Sequence, residues 1–106
     1  MYKPERWVVI KIKEDNQTFY KLLGGWSGSY LEGQSWRMNS GISEIVLEDD
    51  FYLVKGFSGS IYKCHKNGYG TNLVMNGIIA QMKSSKNYQI EVLEDQDFSQ
   101  MSFNEK

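Results

Sequence analysis

The sequence predicts an α+β fold, with an antiparallel β-sheet of about five to seven strands and one main α-helix packed on it. Short segments in which apolar and polar residues alternate are separated by polar turns, which is the pattern of half-buried strands. One later segment instead repeats its apolar residues with the spacing of an amphipathic helix. A chain of 106 residues has room for one modest core, so we expect a single globular domain over residues 1–106.

The first two strands form a predicted hairpin. Residues 6–13 alternate, with Ile10 and Ile12 on one side, as expected for a half-buried strand. Residues 14–17 have the composition of a turn, and residues 18–23 return as the second strand. We therefore expect these two strands to pair antiparallel.

The later strands follow a long irregular stretch. Residues 24–41 are rich in glycine, serine and aromatic residues, and a segment of this length without regular structure in a small domain is usually functional. Alternation resumes in the segments 42–48, 51–55 and 61–65. A last strand, at residues 88–92, is expected at a sheet edge.

The predicted helix precedes the last strand. Thr71 or Asn72 is expected to cap its first turn, and the helix is expected to run to about Ser84. Its apolar residues recur every four positions and form a stripe wide enough to cover one sheet face. Gly77 weakens such a helix by about 1 kcal/mol relative to alanine, so we expect a close contact that requires it.

The C-terminal tail, residues 93–106, is acidic but contains recurring apolar residues. These are Phe98, Met101 and Phe103. An apolar tail on a small protein either folds back on its own domain or docks onto a neighbouring subunit, and the sequence leaves both open.

Charge and cysteine content exclude several functional classes. The net charge is -1 and the pI about 5.8, so the basic surface expected of a protein that binds long nucleic acid is missing. Cys64 is the only cysteine and His65 the only histidine, which predicts no internal disulfide and no structural metal site. The sequence contains no long apolar run, so we expect a cytoplasmic protein without a membrane segment.

A Gly/Ser motif occurs twice. Residues 25–30 read Gly-Trp-Ser-Gly-Ser-Tyr, and residues 56–62 read Gly-Phe-Ser-Gly-Ser-Ile-Tyr. Glycines allow a ligand to approach the backbone, serines hydrogen-bond and aromatic rings stack, so the motif favours a pocket for a polar, ring-containing anion. In that pocket Ser58, Gly59 and Ser60 are expected to offer successive N–H groups to the anion. The alternative is that both copies are turns between strands.

The irregular stretch supplies further binding groups. Arg37 is one of two arginines and is expected to bind a phosphate through two parallel hydrogen bonds, although a surface arginine stacked on Trp36 or paired with a carboxylate is an equal alternative. Asn39 either reads a base edge or caps the turn before the next strand. Trp36 and Tyr62 fit core packing as well as they fit ligand stacking. The predicted ligand-binding residues are Trp26, Ser27, Tyr30, Trp36, Arg37, Asn39, Ser58, Gly59, Ser60, Tyr62, His65 and Tyr69.

Catalytic motifs are sparse. Neither Gly/Ser copy has the second glycine two places after its serine that a nucleophile elbow requires, and the spacings of phosphate-binding loops are missing. Cys64 and His65 are neighbours on a predicted strand and therefore point to opposite faces, which excludes a Cys–His dyad. We expect a binding protein without cofactor rather than an enzyme.

Four segments carry a resemblance to a known family. They read GWSGSY at 25–30, SWRMNSGI at 35–42, GFSGSIY at 56–62 and CHK at 64–66. The chain resembles the phage-encoded anti-CBASS sponge proteins, a family of small immune-evasion proteins. The resemblance implies a homotetramer that sequesters cyclic di- or trinucleotide signals of antiphage defence in the host bacterial cytoplasm, without turnover.

Two other hypotheses remain. The first is a protein–protein inhibitor or scaffold that acts on a host protein through exposed aromatic residues. The second is a nucleotide-hydrolysing enzyme that depends on His65.

Overall fold

Two antiparallel sheets and one α-helix make up the fold in the computed structural model, which describes residues 1–28 and 33–103. The strands are β1 (Arg6–Glu14), β2 (Gln17–Trp26), β3 (Ser35–Met38), β4 (Ile42–Glu48), β5 (Phe51–Gly56), β6 (Ile61–His65) and β7 (Gln89–Val92), and α1 (Leu73–Lys83) lies between β6 and β7. One sheet has the order β3-β2-β1-β7 and the other β4-β5-β6. The predicted α+β class is confirmed, with the strands divided between two sheets rather than one.

β3 lies inside the stretch that the sequence predicts to be irregular. It pairs with β2 from Leu23 opposite Met38 to Trp26 opposite Ser35. Only Trp36 and Met38 mark its alternation, within a stretch rich in glycine and serine, so the sequence does not distinguish this strand from a loop. The strand forms one edge of the four-stranded sheet, and β7 forms the other.

β1 is buried on both of its faces. The strand itself is as predicted, but the prediction that it is only half-buried is wrong. Ile10 and Ile12 lie on the face that packs against α1. Trp7 and Val9 lie on the opposite face, which packs against the three-stranded sheet. The molecule therefore has three layers, with the four-stranded sheet between the helix and the second sheet.

The helix begins as predicted. The Asn72 side chain accepts a hydrogen bond from the Met75 N–H at 2.9 Å, and Met75 and Ile79 are buried against the sheet. The close contact expected at Gly77 is not present, because a Cβ built there has no heavy atom within 4 Å. No helix in the described part of the chain combines the length and the apolar run needed to span a bilayer.

Both ends of the described chain close the space between the sheets. The Tyr2 N–H donates to the Ile61 carbonyl at 3.0 Å, which attaches the N-terminal segment to the edge of β6. In the tail, a short 3-10 helix at Phe98–Gln100 places Phe98 in the core with no exposed surface, and Phe103 is 9% exposed. Of the two alternatives for the tail, the structure adopts the first, because it folds back on its own domain.

Candidate ligand site at the open edge of the sandwich

An exposed arginine lies on a pair of stacked tyrosine rings. β3 directs Arg37 toward the second sheet, where its guanidinium carbon is 4.4 Å from the centre of the Tyr2 ring. The Tyr2 ring is in turn 4.9 Å from the buried Tyr62 ring. In the described residues the one ion pair joins Lys55 to Glu44, so no described carboxylate neutralises Arg37. Its stacking partner is thus Tyr2 rather than Trp36, and within residues 1–28 and 33–103 no carboxylate competes with an anionic ligand for its N–H groups.

Burial raises the pKa of Tyr62, because the phenolate loses its hydration there, while the nearby Arg37 charge acts in the opposite direction. Tyr62 therefore stays neutral at physiological pH and contributes its ring. The Tyr2 ring packs against the Tyr62 ring, and the Arg37 guanidinium packs against Tyr2.

The second Gly/Ser copy is the turn between β5 and β6. Ser40 hydrogen-bonds this turn twice, since its hydroxyl donates to the Ser58 Oγ at 3.1 Å and accepts from the Ser58 N–H at 3.1 Å. The Gly59 N–H donates to the Gly56 carbonyl at 3.0 Å, with Gly59 in the left-handed region at a φ of +94°. Two of the three N–H groups predicted to bind an anion are therefore already satisfied. The turn presents serine hydroxyls instead.

Asn39 links this turn to the four-stranded sheet. Its Oδ1 accepts from the Leu22 N–H at 2.8 Å, and its own N–H donates to the Leu22 carbonyl at 3.0 Å. The side chain is 5% exposed, and its Nδ2 has no hydrogen-bond partner among the described atoms. A Cβ built on Gly56 would lie 2.8 Å from the Ser60 Oγ and 3.4 Å from this Nδ2, so the missing side chain of Gly56 lets the two sheets approach here.

These groups lie together because each sheet contributes residues two positions apart on the same side. Arg37 in β3 and Asn39 just after it are related in this way, as are Ser60, just before β6, and Tyr62 in it. We call the resulting cluster the edge site. It consists of Tyr2, Arg37, Asn39, Ser40, Ser58, Ser60 and Tyr62.

Sequence reasoning did not identify Tyr2 or Ser40 as members of this site. Tyr2 reaches it through a bridge to β6 that spans most of the chain, and no periodic pattern marks it. The one sequence feature that could have indicated Tyr2 is its aromatic side chain two positions before Pro4, in a chain already rich in aromatic residues. Ser40 lies directly beside Asn39 and was visible only as part of a polar triplet.

The described part of the first Gly/Ser copy, residues 25–28, has hydrogen-bond partners in the N-terminal segment. The Trp26 indole N–H donates to the Lys3 carbonyl at 3.0 Å, and the Ser27 N–H donates to the Glu5 carboxylate at 3.1 Å. The Ser27 hydroxyl donates to the same carboxylate, and these hydrogen bonds lower the pKa of Glu5. Ser27 therefore binds an anion of its own chain. Tyr30, which was predicted to bind ligand, lies outside the described residues.

Trp36 does not share a site with Arg37. Neighbouring residues of a strand face opposite sides, and Trp36 lies on the α1 side of β3, next to Met38 and Ile78. It is 45% exposed, so it is not a core residue either.

Tyr69 has a structural position. Its hydroxyl accepts from the Val9 N–H at 3.1 Å and donates to the Leu93 carbonyl at 2.6 Å. Its ring meets Trp7 edge to face at 4.8 Å. The predicted stacking face is thus occupied by core side chains.

His65 and Cys64 point to opposite faces, as predicted. The Cys64 side chain is buried in the core, where loss of hydration raises the pKa of its thiol. The His65 Nδ1 accepts from the Asn67 N–H at 3.0 Å and caps the 3-10 helix Lys66–Gly68. His65 also contacts Phe51 edge to face at 4.9 Å, away from the edge site.

Comparison with known proteins provides no relative for this site. The chain matches no protein-family model, no curated protein and no solved structure. The chemistry of the edge site is therefore argued from its own residues.

Proposed function

We propose that this protein is a non-catalytic binding protein that captures a small cyclic di- or trinucleotide at the edge site and thereby blocks antiphage signalling in the bacterial cytoplasm. The observation that carries the proposal is the exposed Arg37 guanidinium, held on the Tyr2 ring and not paired with a described carboxylate. Such a guanidinium matches the geometry of a phosphate.

The other groups of the edge site suit the same ligand. The Ser58 hydroxyl accepts from Ser40 and keeps its own hydrogen for a phosphate or ribose oxygen. Asn39 is buried beside it and positions this end of the site through its hydrogen bonds to Leu22. Tyr2 is 37% exposed and offers a ring edge beside the guanidinium. Capture requires affinity and an excess of protein over ligand, not a general base.

The resemblance to anti-CBASS sponge proteins motivates the ligand class and a homotetrameric assembly. A cyclic dinucleotide has two equivalent phosphates, and a symmetric ligand suits a site to which two subunits each contribute one Arg37. This arrangement is part of the proposal.

Isothermal titration against a panel of cyclic di- and trinucleotides tests the proposal. We expect saturable binding to at least one member, with the ligand recovered intact. Arg37→Ala should weaken binding by about 10- to 100-fold. Arg37→Lys keeps the charge but not the paired hydrogen bonds, so its affinity should lie between those of the wild type and Arg37→Ala.

Arg6→Ala is the matched control, since it removes the other arginine, and should bind as the wild type does. The proposal fails if no member of the panel binds, if Arg6→Ala and Arg37→Ala weaken binding equally, or if the ligand is converted to product.

A protein–protein inhibitor is the second candidate. Phe57 favours it, because this ring is 64% exposed at the tip of the β5–β6 turn. A host partner that is retained by the wild type and lost on Phe57→Ala, without nucleotide binding, would support this candidate instead.

A further inference from the structure

A groove on the other side of β3 has the character of a second ligand site. It has a volume of about 570 Å³ and lies between the C-terminal half of α1 and the turn end of the β1–β2 hairpin. Its walls include three aromatic residues, Phe19, Trp36 and Tyr88, together with Met38 and Met82. Pockets of roughly 300–1,000 Å³ with mainly apolar walls and a few polar groups are typical of small-molecule sites.

The groove exists because the helix covers only part of the sheet. α1 buries Ile10 and Leu23 with Met75 and Ile79, but β3 lies at the sheet edge beyond the helix. Trp36 on that edge is left 45% exposed and faces the groove. Covering so exposed an aromatic side chain with a ligand is favourable, because it removes apolar surface from water.

One lysine lies within the apolar lining. Lys21 is on the same side of β2 as Phe19 and Leu23, is half-buried and pairs across the ladder with Ile10. No described carboxylate lies within 4 Å of its ammonium group, and Glu14, the acidic residue of the lining, is exposed at the hairpin end. A cation held against apolar walls favours an anionic ligand group over a neutral one.

We propose that this helix-side groove binds a small amphipathic anion, with a flat aromatic body against Trp36, Phe19 and Tyr88 and a single acid group on Lys21. The class follows from the lining, which combines aromatic faces with a half-buried cation, while the Glu14 carboxylate is exposed to solvent at the hairpin end. The groove and the edge site are separate, because Trp36 and Arg37 face opposite sides of β3. The proposal therefore does not rest on nucleotide binding.

The test compares naphthalene-2-sulfonate with its neutral counterpart 2-naphthol in calorimetric titrations at neutral pH. We expect one saturable site per chain and an affinity for the sulfonate that is about tenfold higher. Lys21→Met should remove this preference while leaving 2-naphthol binding within about twofold, and Lys21→Arg should largely restore it. Trp36→Leu should lower the affinity for both naphthalene ligands.

Lys55→Met serves as the control, since Lys55 pairs with Glu44 on the other sheet. Equal affinity for the two naphthalene ligands, absence of saturable binding, or an equal effect of Lys55→Met and Lys21→Met would overturn the proposal.

A second measurement needs only the wild-type protein. In a ¹H–¹⁵N spectrum titrated with naphthalene-2-sulfonate, the Trp36 indole signal should shift, while that of Trp7, buried and bonded to the His65 carbonyl at 2.8 Å, should not. A shift of Trp7 alone, or of neither, contradicts the assignment of the ligand to the groove.

Discussion

Tyr69 shows how one side chain can take the place of a backbone hydrogen bond. The Leu93 N–H donates to the Val9 carbonyl at 3.0 Å, as antiparallel neighbours do. The reciprocal bond is not made directly, because the Tyr69 hydroxyl lies between the Val9 N–H and the Leu93 carbonyl. One phenol thus connects β1 to the chain that follows β7 while its ring fills the core.

The position of Tyr69 predicts a loss of stability at alkaline pH. Burial raises the pKa of Tyr69 from 10.0 to about 12, because the phenolate loses its hydration there, and ionisation also removes the hydrogen bond to Leu93. The unfolded chain therefore releases this proton at a lower pH than the folded protein. The contribution of Tyr69 to stability is complete below pH 10 and falls as the pH rises toward 12.

Urea unfolding as a function of pH measures this linkage. The free energy of unfolding of the wild type should decline over that range, helped by the raised pKa values of Tyr52 and Tyr62. Tyr69→Phe should be less stable at neutral pH, since it loses both hydrogen bonds, but its alkaline decline should be shallower. Parallel curves for the two proteins would show that Tyr69 is not a source of the decline.

At the level of secondary structure, the elements with a clear apolar pattern were predictable and β3 was not. The helix has eleven residues and a capping Asn72, and both its apolar stripe and its start are visible in the sequence. β3 was missed because only Trp36 and Met38 mark its alternation, whereas β7, equally short, was predicted from the alternating Tyr88, Ile90 and Val92. The division into two sheets was also not predictable, because alternation shows that Trp7 and Val9 share a face but not which element covers that face.

Two glycines next to or within α1 should respond in opposite ways to alanine. Gly77 is exposed, and a Cβ there meets no atom within 4 Å, so Gly77→Ala should raise the free energy of unfolding by about 0.5–1 kcal/mol. A Cβ on Gly25 would lie 2.5 Å from the Met75 sulfur and 2.8 Å from the Asn72 Nδ2. Gly25→Ala should therefore lower the free energy of unfolding by about 1–3 kcal/mol, since the buried Met75 side chain and the capping Asn72 side chain must shift. Chemical denaturation of both variants checks the pair, and a loss of stability in Gly77→Ala would contradict this reading of the helix.

At the scale of the whole molecule, the two candidate sites lie on opposite sides of one edge strand. The sequence identified five side chains of the edge site, because their types suit an anionic ligand: Arg37, Asn39, Ser58, Ser60 and Tyr62. It could not show that Trp36 belongs to a different surface, since β3 itself was not predicted. Tyr2 was missed because it contacts Tyr62, a residue far from it in the sequence, and local patterns do not reveal such a contact.

The C-terminal tail completes the core between the two sheets. The Phe98 ring lies 5.5 Å from Trp7 on the first sheet, 5.9 Å from Tyr52 on the second and 5.1 Å from Tyr69. Each sheet thus packs against the other partly through a ring supplied by the tail. Without that ring the two sheets would enclose a cavity.

Phe98→Ala should therefore destabilise the whole domain rather than only the tail. The side chain has no exposed surface, so we expect a loss of about 3–5 kcal/mol from lost burial and the remaining cavity. Leu73→Ala is the matched control, because Leu73 is 82% exposed and its truncation should change stability by less than about 0.5 kcal/mol. Hydrogen exchange should show that Phe98→Ala lowers protection in β1 and β5 alike, because both pack on the ring. Protection lost only after residue 93, with β1 and β5 unchanged, would mean that the sheets hold together without the tail.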